Sequence, residues 1–251
     1  AIQSINIQSG IFCLMKDRFQ DIIWVGADGQ GIYMYFTDEF SIENVLLDVP
    51  EYRVNNPVRA LFLDHEQTLW IGTKGGGILR MMDFHPDRET LPQAERILAN
   101  NSALMDNSVY SFAPGRRNSL WIGTEDGLNY YSYLTRRIEE FPVIADGKKV
   151  KYVHSICETN DSTLWVVSAG EGIVKITLEA SSSLPKVKSA QRFTLDGGKR
   201  NSNYFFVSYQ ENDSTIWFGN RGYGAYKMNT RTNQLTPCRI DDVVKNQTVN
   251  D

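Results

Sequence analysis

Thr68-Leu69-Trp70-Ile71-Gly72-Thr73-Lys74-Gly75-Gly76-Gly77-Ile78 is an eleven-residue pattern that returns four more times in this chain of 251 residues. Every copy contains one of the five tryptophans, which are Trp24, Trp70, Trp121, Trp165 and Trp217. A glycine follows two residues later at Gly26, Gly72, Gly123 and Gly219, and Val167 replaces it in the fourth copy. A second glycine follows at the end of the pattern, at Gly31, Gly77, Gly127, Gly172 and Gly224. The pattern also extends backwards, because an apolar residue lies twelve positions before each tryptophan, at Phe12, Val58, Val109, Val153 and Phe205.

The spacing of the tryptophans indicates a repeat protein. Successive tryptophans are 46, 51, 44 and 52 residues apart. Periods of this length are typical of propellers, in which one repeat cannot bury its own apolar face and must pack against the next. We therefore predict one all-β domain over residues 1–251, with repeats at about 9–55, 56–106, 107–151, 152–203 and 204–251.

Each repeat reads as four short antiparallel strands, which is the description of a propeller blade. Polar turns rich in Asp, Asn and Ser separate the first strand from the tryptophan strand. Residues 1–8 alternate apolar and polar side chains and are predicted to be the last strand of a preceding blade. The polar insertions at 83–101 and 179–190 are predicted to be loops, with a helical turn expected only at 93–100. The fold expected is a β-propeller of about five blades, or part of a seven-bladed one.

The recurring residue types have structural reasons. An indole on the second strand can wedge between neighbouring blades, and its N–H is expected to reach a backbone carbonyl. The first glycine removes a side chain where blades converge, and the second permits a backbone conformation that other residues avoid. Because Val167 replaces the first glycine, we expect the fourth blade to pack differently from the others.

Composition excludes several classes of function. The net charge is −4, and no basic run is longer than Arg116-Arg117 or Arg136-Arg137, so nucleic-acid binding is not expected. No apolar run approaches the length of a membrane span. The three cysteines form no CxxC pair, which argues against a zinc site, and Cys13 and Cys157 are expected to be small buried hydrophobes. No metal or cofactor is expected.

The sequence resembles a known family. Leu120-Trp121-Ile122-Gly123-Thr124, with Val109-Tyr110-Ser111-Phe112 upstream of it, looks like the two-component regulator propeller repeat, and the resemblance covers all five copies. It implies the periplasmic sensor region of a hybrid two-component histidine kinase from a glycan-degrading bacterium. It also implies an oligosaccharide ligand, a homodimeric parent, further blades and signalling domains outside this stretch, and no membrane insertion by this segment.

Candidate ligand-binding residues are expected on one face of the propeller. On this face the turns after the second strands should meet the segments before the first strands. The predicted ligand-binding set is Lys74, Glu125, Glu171, Tyr204, Arg221 and Tyr223, with His154 on an innermost strand. The same face should carry Asp28, Asp126, Asn55, Asn56, Asn107 and Asn203. A mixture of amides, charges and aromatic rings suits hydroxyl-rich or anionic sugars. For His154 itself, a satisfied, partly buried side chain is the favoured interpretation over a ligand contact, because no acidic or Cys partner lies at ligand spacing.

Two alternatives remain open from the sequence. A propeller lyase or glycosidase could use Asp28, Glu125 or Glu171, although the sequence contains no HExxH, GxSxG or Walker motif. A scaffold could use the propeller for dimer contacts without binding a small ligand. No catalytic residue is predicted, so the sequence favours a binding module.

Overall fold

The computed structural model describes residues 7–37, 41–45, 53–83, 93–160, 162–180 and 184–238. Most of the strand predicted for residues 1–8 lies outside the described residues, as does His85.

The described residues form five four-stranded antiparallel sheets and one two-stranded hairpin, and this confirms the predicted β-propeller of about five blades. The strands of blades 1 and 2 are β1 Ile11–Lys16, β2 Ile22–Ala27, β3 Ile32–Phe36, β4 Ser41–Val45, β5 Val58–Leu63, β6 Leu69–Thr73, β7 Ile78–Met82 and β8 Gln93–Ile97. Blade 3 and the short hairpin after it contain β9 Val109–Gly115, β10 Ser119–Thr124, β11 Leu128–Ser132, β12 Arg137–Phe141, β13 Ile144–Ala145 and β14 Lys148–Lys149. Blades 4 and 5 contain β15 Val153–Asn160, β16 Thr163–Ser168, β17 Gly172–Leu178, β18 Val187–Phe193, β19 Phe205–Asn212, β20 Thr215–Asn220, β21 Gly224–Asn229 and β22 Gln234–Cys238.

Within each blade the chain runs as a meander, so the first strand lies at one edge of the sheet and the fourth at the other. The first strands β1, β5, β9, β15 and β19 contact one another in that order and form the inner wall. No comparable contact joins β19 to β1 among the described elements. Apolar side chains of these two end strands are correspondingly exposed, for example Leu14 at 65% and Tyr209 at 67%.

The tryptophans are the centre of the contacts between blades. Trp24, Trp70, Trp121 and Trp165 are at most 1% exposed, and each belongs to an apolar cluster that includes residues of the next blade. Trp217, in the last blade, is only partly buried. Burial between blades therefore accounts for the repeat, because one blade alone cannot cover its own indole.

Four of the five indole N–H groups bond to carboxylates and not to the backbone carbonyls that we expected, and the buried Trp165 N–H has no hydrogen-bond partner among the described residues. Trp24 donates to Asp17 at 2.8 Å and Trp70 to Asp64 at 2.9 Å, both within the same blade. Trp121 donates to Glu158 of the next blade at 2.8 Å. Charged acceptors make stronger hydrogen bonds than backbone carbonyls do, which is consistent with this preference.

The first glycine of the repeat lies where two blades meet. A Cβ on Gly72 would come within 2.8 Å of Val109, and a Cβ on Gly26 within 2.7 Å of Val58. At the fourth blade, Val167 is fully buried in one cluster with Phe205, so two large side chains form that contact. Blade 4 thus packs on blade 5 differently from the other pairs, as expected.

Two parts of the sequence interpretation were wrong. The segment predicted as a helical turn at 93–100 begins with the outer strand β8, whose residues pair with β7. The insertion at 179–190, predicted as a loop, contains the start of β18. In both cases backbone pairing with the neighbouring strand overrides the weak local preference of a polar segment.

Candidate functional site

One face of the propeller is assembled from the same two segments in every blade. The turn after the second strand donates a backbone hydrogen bond to the segment that precedes the first strand. These bonds measure 2.8–3.0 Å and run from Asp28 to Gly10, Lys74 to Pro57, Glu125 to Ser108, Ala169 to Tyr152 and Arg221 to Tyr204. The turns and linkers that contain the predicted binding residues therefore lie on one face.

A β-bulge interrupts each inner strand at the same place. The pairing with the tryptophan strand skips one residue, so two residues of the inner strand face one of its neighbour. The skipped residues are Phe12, Arg59, Tyr110, His154 and Phe206, and we call these five side chains the inner layer. Bulges re-aim a side chain and are frequent next to functional sites.

Side chains of the inner layer contact one another between blades 1 and 2, between blades 3 and 4, and between blades 4 and 5. The Arg59 guanidinium lies 3.5 Å from the centre of the Phe12 ring. Tyr110 stacks on His154 with centroids 4.3 Å apart and planes 11° from parallel, and His154 meets Phe206 edge-on at 4.9 Å. The bulges thus place four aromatic rings and one guanidinium along the inner wall of the propeller.

Glu125 connects the turns to the inner layer. Its Oε2 accepts a 2.8 Å hydrogen bond from the Tyr110 hydroxyl. Burial, with a further contribution from Glu125, raises the pKa of Tyr110 to about 12, so this hydroxyl remains a donor. The bond helps to hold the Tyr110 ring in its stack against His154.

His154 is held neutral. Burial, and to a lesser degree the nearby Arg59 cation, lowers the pKa of His154 to about 4, while Glu125 acts in the opposite direction. Neutral imidazole stacks on a phenol ring without bringing a second cation into a layer that already contains Arg59. At neutral pH the ring therefore offers one donor and one acceptor.

Lowering the pH is expected to destabilise the protein through His154. The unfolded imidazole titrates near 6.5 and the folded one near 4, so the unfolded state takes up the proton first as the pH falls. The stability contribution of His154 that is present above pH 6.5 is lost progressively between about pH 6.5 and 4, and it amounts to about 3 kcal/mol. His154→Phe keeps the ring contacts and removes the titration. Urea unfolding at pH 7 and pH 4.5 should show a larger loss for the natural chain than for His154→Phe, and equal losses would contradict this assignment.

The other predicted residues lie at varying distances from the inner layer. Tyr204 joins it, because its ring is nearly parallel to that of Phe206 with centroids 6.2 Å apart. Glu171 lies in a neighbouring cleft, where it pairs with Arg192 at 3.2 Å. Lys74, Arg221 and Tyr223 are exposed on the same face and none has a described side-chain contact with the layer. The structure thus brings three of the seven predicted residues, Glu125, His154 and Tyr204, to one surface.

The asparagines expected on this face mainly support the turns. Asn203 makes side-chain hydrogen bonds to both backbone groups of Leu195 and to the carbonyl of Lys199, and it is fully buried. Asn107 accepts from the backbone N–H of Ala99, and Asn56 donates to the carbonyl of Lys74. These amides hold the linkers in place and leave the inner layer as the better candidate.

Sequence reasoning missed four members of the inner layer, namely Phe12, Arg59, Tyr110 and Phe206. Three of them follow the apolar residue that lies twelve positions before the tryptophan. In blade 1 the predicted alignment of the repeat was wrong by one residue. Ile11, and not Phe12, occupies the position in blade 1 that Val58 occupies in blade 2. A bulky residue recurring directly after that apolar residue is the signal that could have identified them.

The remaining chemistry is limited. Glu125 and Glu171, considered above for hydrolysis, are engaged by Tyr110 and Arg192. Among the described residues, no three His, Cys, Asp or Glu side chains form a group that could hold a metal. Burial raises the pKa of Cys13 to about 12 and of Cys157 to about 11, so both are thiols. They pack against apolar clusters but are partly buried and not fully buried as expected. In the described part of the chain, no helix combines the length and apolar character needed to cross a membrane.

Comparison with known proteins gives related sequences and folds. Residues 53–75 and 103–126 match the family described as "Two component regulator propeller". A curated protein of Formosa agariphila, "Histidine kinase P4", is 27% identical over 181 residues, which are 70% of this chain and 13% of that protein.

Solved structures share the fold at low identity. The extracellular domain of the hybrid two component system BT3049 from B. thetaiotaomicron superposes with a TM-score of 0.70 at 15% identity, covering 93% of this chain and 31% of that one. PorZ, a surface component of the type-IX secretion system of Porphyromonas gingivalis, gives 0.64 at 15% identity over 89% of this chain and 32% of its own. The chain therefore spans about a third or less of these proteins. The chain is therefore similar to the two component regulator propeller family over two of its repeats, and it shares the β-propeller fold with these solved structures.

Proposed function

We propose that this chain is the ligand-sensing propeller of a hybrid two-component histidine kinase and that it binds an oligosaccharide on the inner layer. The observation that carries the proposal is the set of five bulges, which aim one side chain per blade onto one aromatic surface. A purely structural inner wall would not need the same irregularity in every blade. Aromatic faces suit the apolar faces of sugar rings, and Glu125, His154 and Arg59 supply hydrogen bonds for hydroxyl groups.

The relatives support an extracytoplasmic sensor role. The sensor propellers that share this fold are extracellular domains, and the curated relative is named a histidine kinase. We propose, as the family resemblance implies, that the chain lies in the periplasm as part of a membrane-anchored homodimer that regulates polysaccharide utilisation. A ligand that contacts residues from several blades would change how those blades pack. This change in packing would be transmitted to the other domains of the histidine kinase.

Tyr110→Ala is expected to weaken oligosaccharide binding about tenfold or more, which corresponds to about 1.4 kcal/mol. The substitution removes the ring that stacks on His154 and the hydroxyl that donates a hydrogen bond to Glu125. Isothermal titration calorimetry of the 251-residue chain with an oligosaccharide that binds it measures the change.

The matched control is Tyr35→Ala, because Tyr35 is half-buried on β3, outside the inner layer. Tyr110→Phe separates the two contributions, since it keeps the stack and loses only the hydrogen bond to Glu125. Equal affinities for Tyr110→Ala and Tyr35→Ala, with both proteins folded, would place the ligand elsewhere.

A further inference from the structure

A cleft of about 510 Å³ lies beside blade 4, on the same face as the turns described above. It forms where the linker before β15, the turn between β16 and β17, and the linker after β18 meet. We call it the basic cleft, because its charged lining residues are four cations and one carboxylate: Lys148, Lys151, Arg192, Arg200 and Glu171.

Arg192 has buried donors that bond to nothing among the described residues. Its side chain is only 8% exposed, and its Nη1 donates to the carbonyl and the carboxylate of Glu171 at 3.1 and 3.2 Å. Its Nε and Nη2 are buried without a hydrogen-bond partner. These two atoms form one edge of the guanidinium, the edge that binds a carboxylate or a sulfate through two parallel hydrogen bonds. Leaving charged donors buried without an acceptor is costly, so the arrangement indicates a missing partner.

The cleft has more positive charge than its own carboxylates balance. Glu171 pairs with Arg192, and Lys151 pairs with Asp126 at 2.8 Å. Among the ion pairs of the described residues, Lys148 and Arg200 have no carboxylate partner. Two cations therefore remain available to an anionic ligand.

The basic cleft is continuous with the inner layer. The Arg200 guanidinium lies 5.9 Å from the centre of the Tyr204 ring, and Tyr204 stacks on Phe206 of the layer. The backbone of Gly170 also lies close to both side chains, since a Cβ there would be 3.1 Å from Arg200 and 3.3 Å from Tyr204. A ligand of several sugar units could therefore contact both regions.

We infer that the basic cleft binds the oxyanion group, a carboxylate or a sulfate, of an acidic oligosaccharide whose sugar rings lie on the inner layer. This inference rests on the proposed function and adds the chemical class of the ligand. Arg192 donates hydrogen bonds to the oxyanion from Nε and Nη2, while Lys148 and Arg200 provide the positive charge that balances it. Arg200 and Tyr204 orient the following sugar toward Phe206.

Calorimetric titration of the full chain with matched acidic and neutral oligosaccharides tests this inference. One pair is an oligogalacturonate and its methyl ester, which removes the carboxylate charge. The other pair is a chondroitin sulfate oligosaccharide and its desulfated form. At least one acidic member is expected to bind about tenfold or more tightly than its neutral partner, with an affinity that falls as salt is added. The pair that shows the difference identifies the oxyanion.

Substitutions test whether the basic cleft is responsible for the preference for acidic oligosaccharides. Arg192→Gln, Arg200→Ala and Lys148→Ala should each reduce the acidic preference about tenfold toward the neutral value. Lys148 and Arg200 are exposed, so their variants test the inference even where Arg192→Gln does not fold. Lys188→Ala is the matched control, since Lys188 is exposed on the same strand as Arg192 and outside the cleft.

The outcomes separate the inference from the proposed function. Equal binding of the acidic and neutral members, or an acidic preference unchanged in Arg200→Ala and Lys148→Ala, would overturn the basic cleft and leave the oligosaccharide proposal standing. If no oligosaccharide of either kind binds, both are overturned.

Discussion

Asp64→Ala is expected to destabilise the propeller by about 4 kcal/mol, which lowers the melting temperature by about 8 to 16 °C for a chain of this size. Asp64 is 2% exposed and accepts four hydrogen bonds. Its Oδ1 accepts from the backbone N–H groups of Glu66 and Thr68, and its Oδ2 accepts from the Trp70 indole and the Tyr133 hydroxyl. Alanine would leave all four donors without their acceptor, and two of them belong to buried side chains.

Glu211→Ala is the matched control for Asp64→Ala. Glu211 accepts the Trp217 indole N–H at 3.0 Å, but this carboxylate is 43% exposed and Trp217 is only partly buried. Water can replace the lost acceptor there, so the cost should be within about 1 kcal/mol. Urea unfolding of both variants measures the difference. Equal costs for the two would contradict the role given to buried carboxylates beneath the tryptophans.

The second large effect is expected at Gly77. Its φ is +69°, and a Cβ at this position would overlap the carbonyl oxygen of Ile97 on the outer strand β8. Gly77→Ala should therefore cost about 3 kcal/mol or more, because the left-handed backbone and the clash with a backbone atom add together.

Gly224 offers a direct comparison at the same position of the fifth repeat. Its φ is +80°, and no atom of the described residues lies within 4 Å of the place that a Cβ would occupy. Gly224→Ala should cost only the left-handed strain, about 1 kcal/mol. The difference in melting temperature between the two variants measures the cost of the overlap with β8, because both variants share the left-handed backbone strain. Closely similar melting temperatures would show that β8 does not approach the turn as described.

Most of the fold could be predicted from the sequence, because it depends on a local pattern repeated five times. Each tryptophan strand has similar neighbouring residues in sequence, so one structural interpretation applies to all five strands. The outer strand β8 could not be predicted in this way. Its residues favour a helix as much as a strand, and pairing with β7 determines the outcome.

The candidate site was only partly predictable. His154, Glu125 and Tyr204 were selected as bulky or charged residues on the right face, and the structure brings them together. Arg59 and Tyr110 were missed because their direction depends on a bulge, which is a property of strand register and not of residue type. The indole partners were missed for a similar reason, since Trp121 takes its acceptor from Glu158 of the following blade.

Thermal melting of the 251-residue chain against a panel of neutral and acidic oligosaccharides tests the central claim most directly. A ligand at 100 times its dissociation constant stabilises the folded state by about 2.7 kcal/mol, which raises the melting temperature by about 5 to 10 °C. We predict a selective rise with one class of oligosaccharide, without product formation, and its loss in Tyr110→Ala. A cooperative melt that no oligosaccharide shifts would contradict ligand sensing by this propeller.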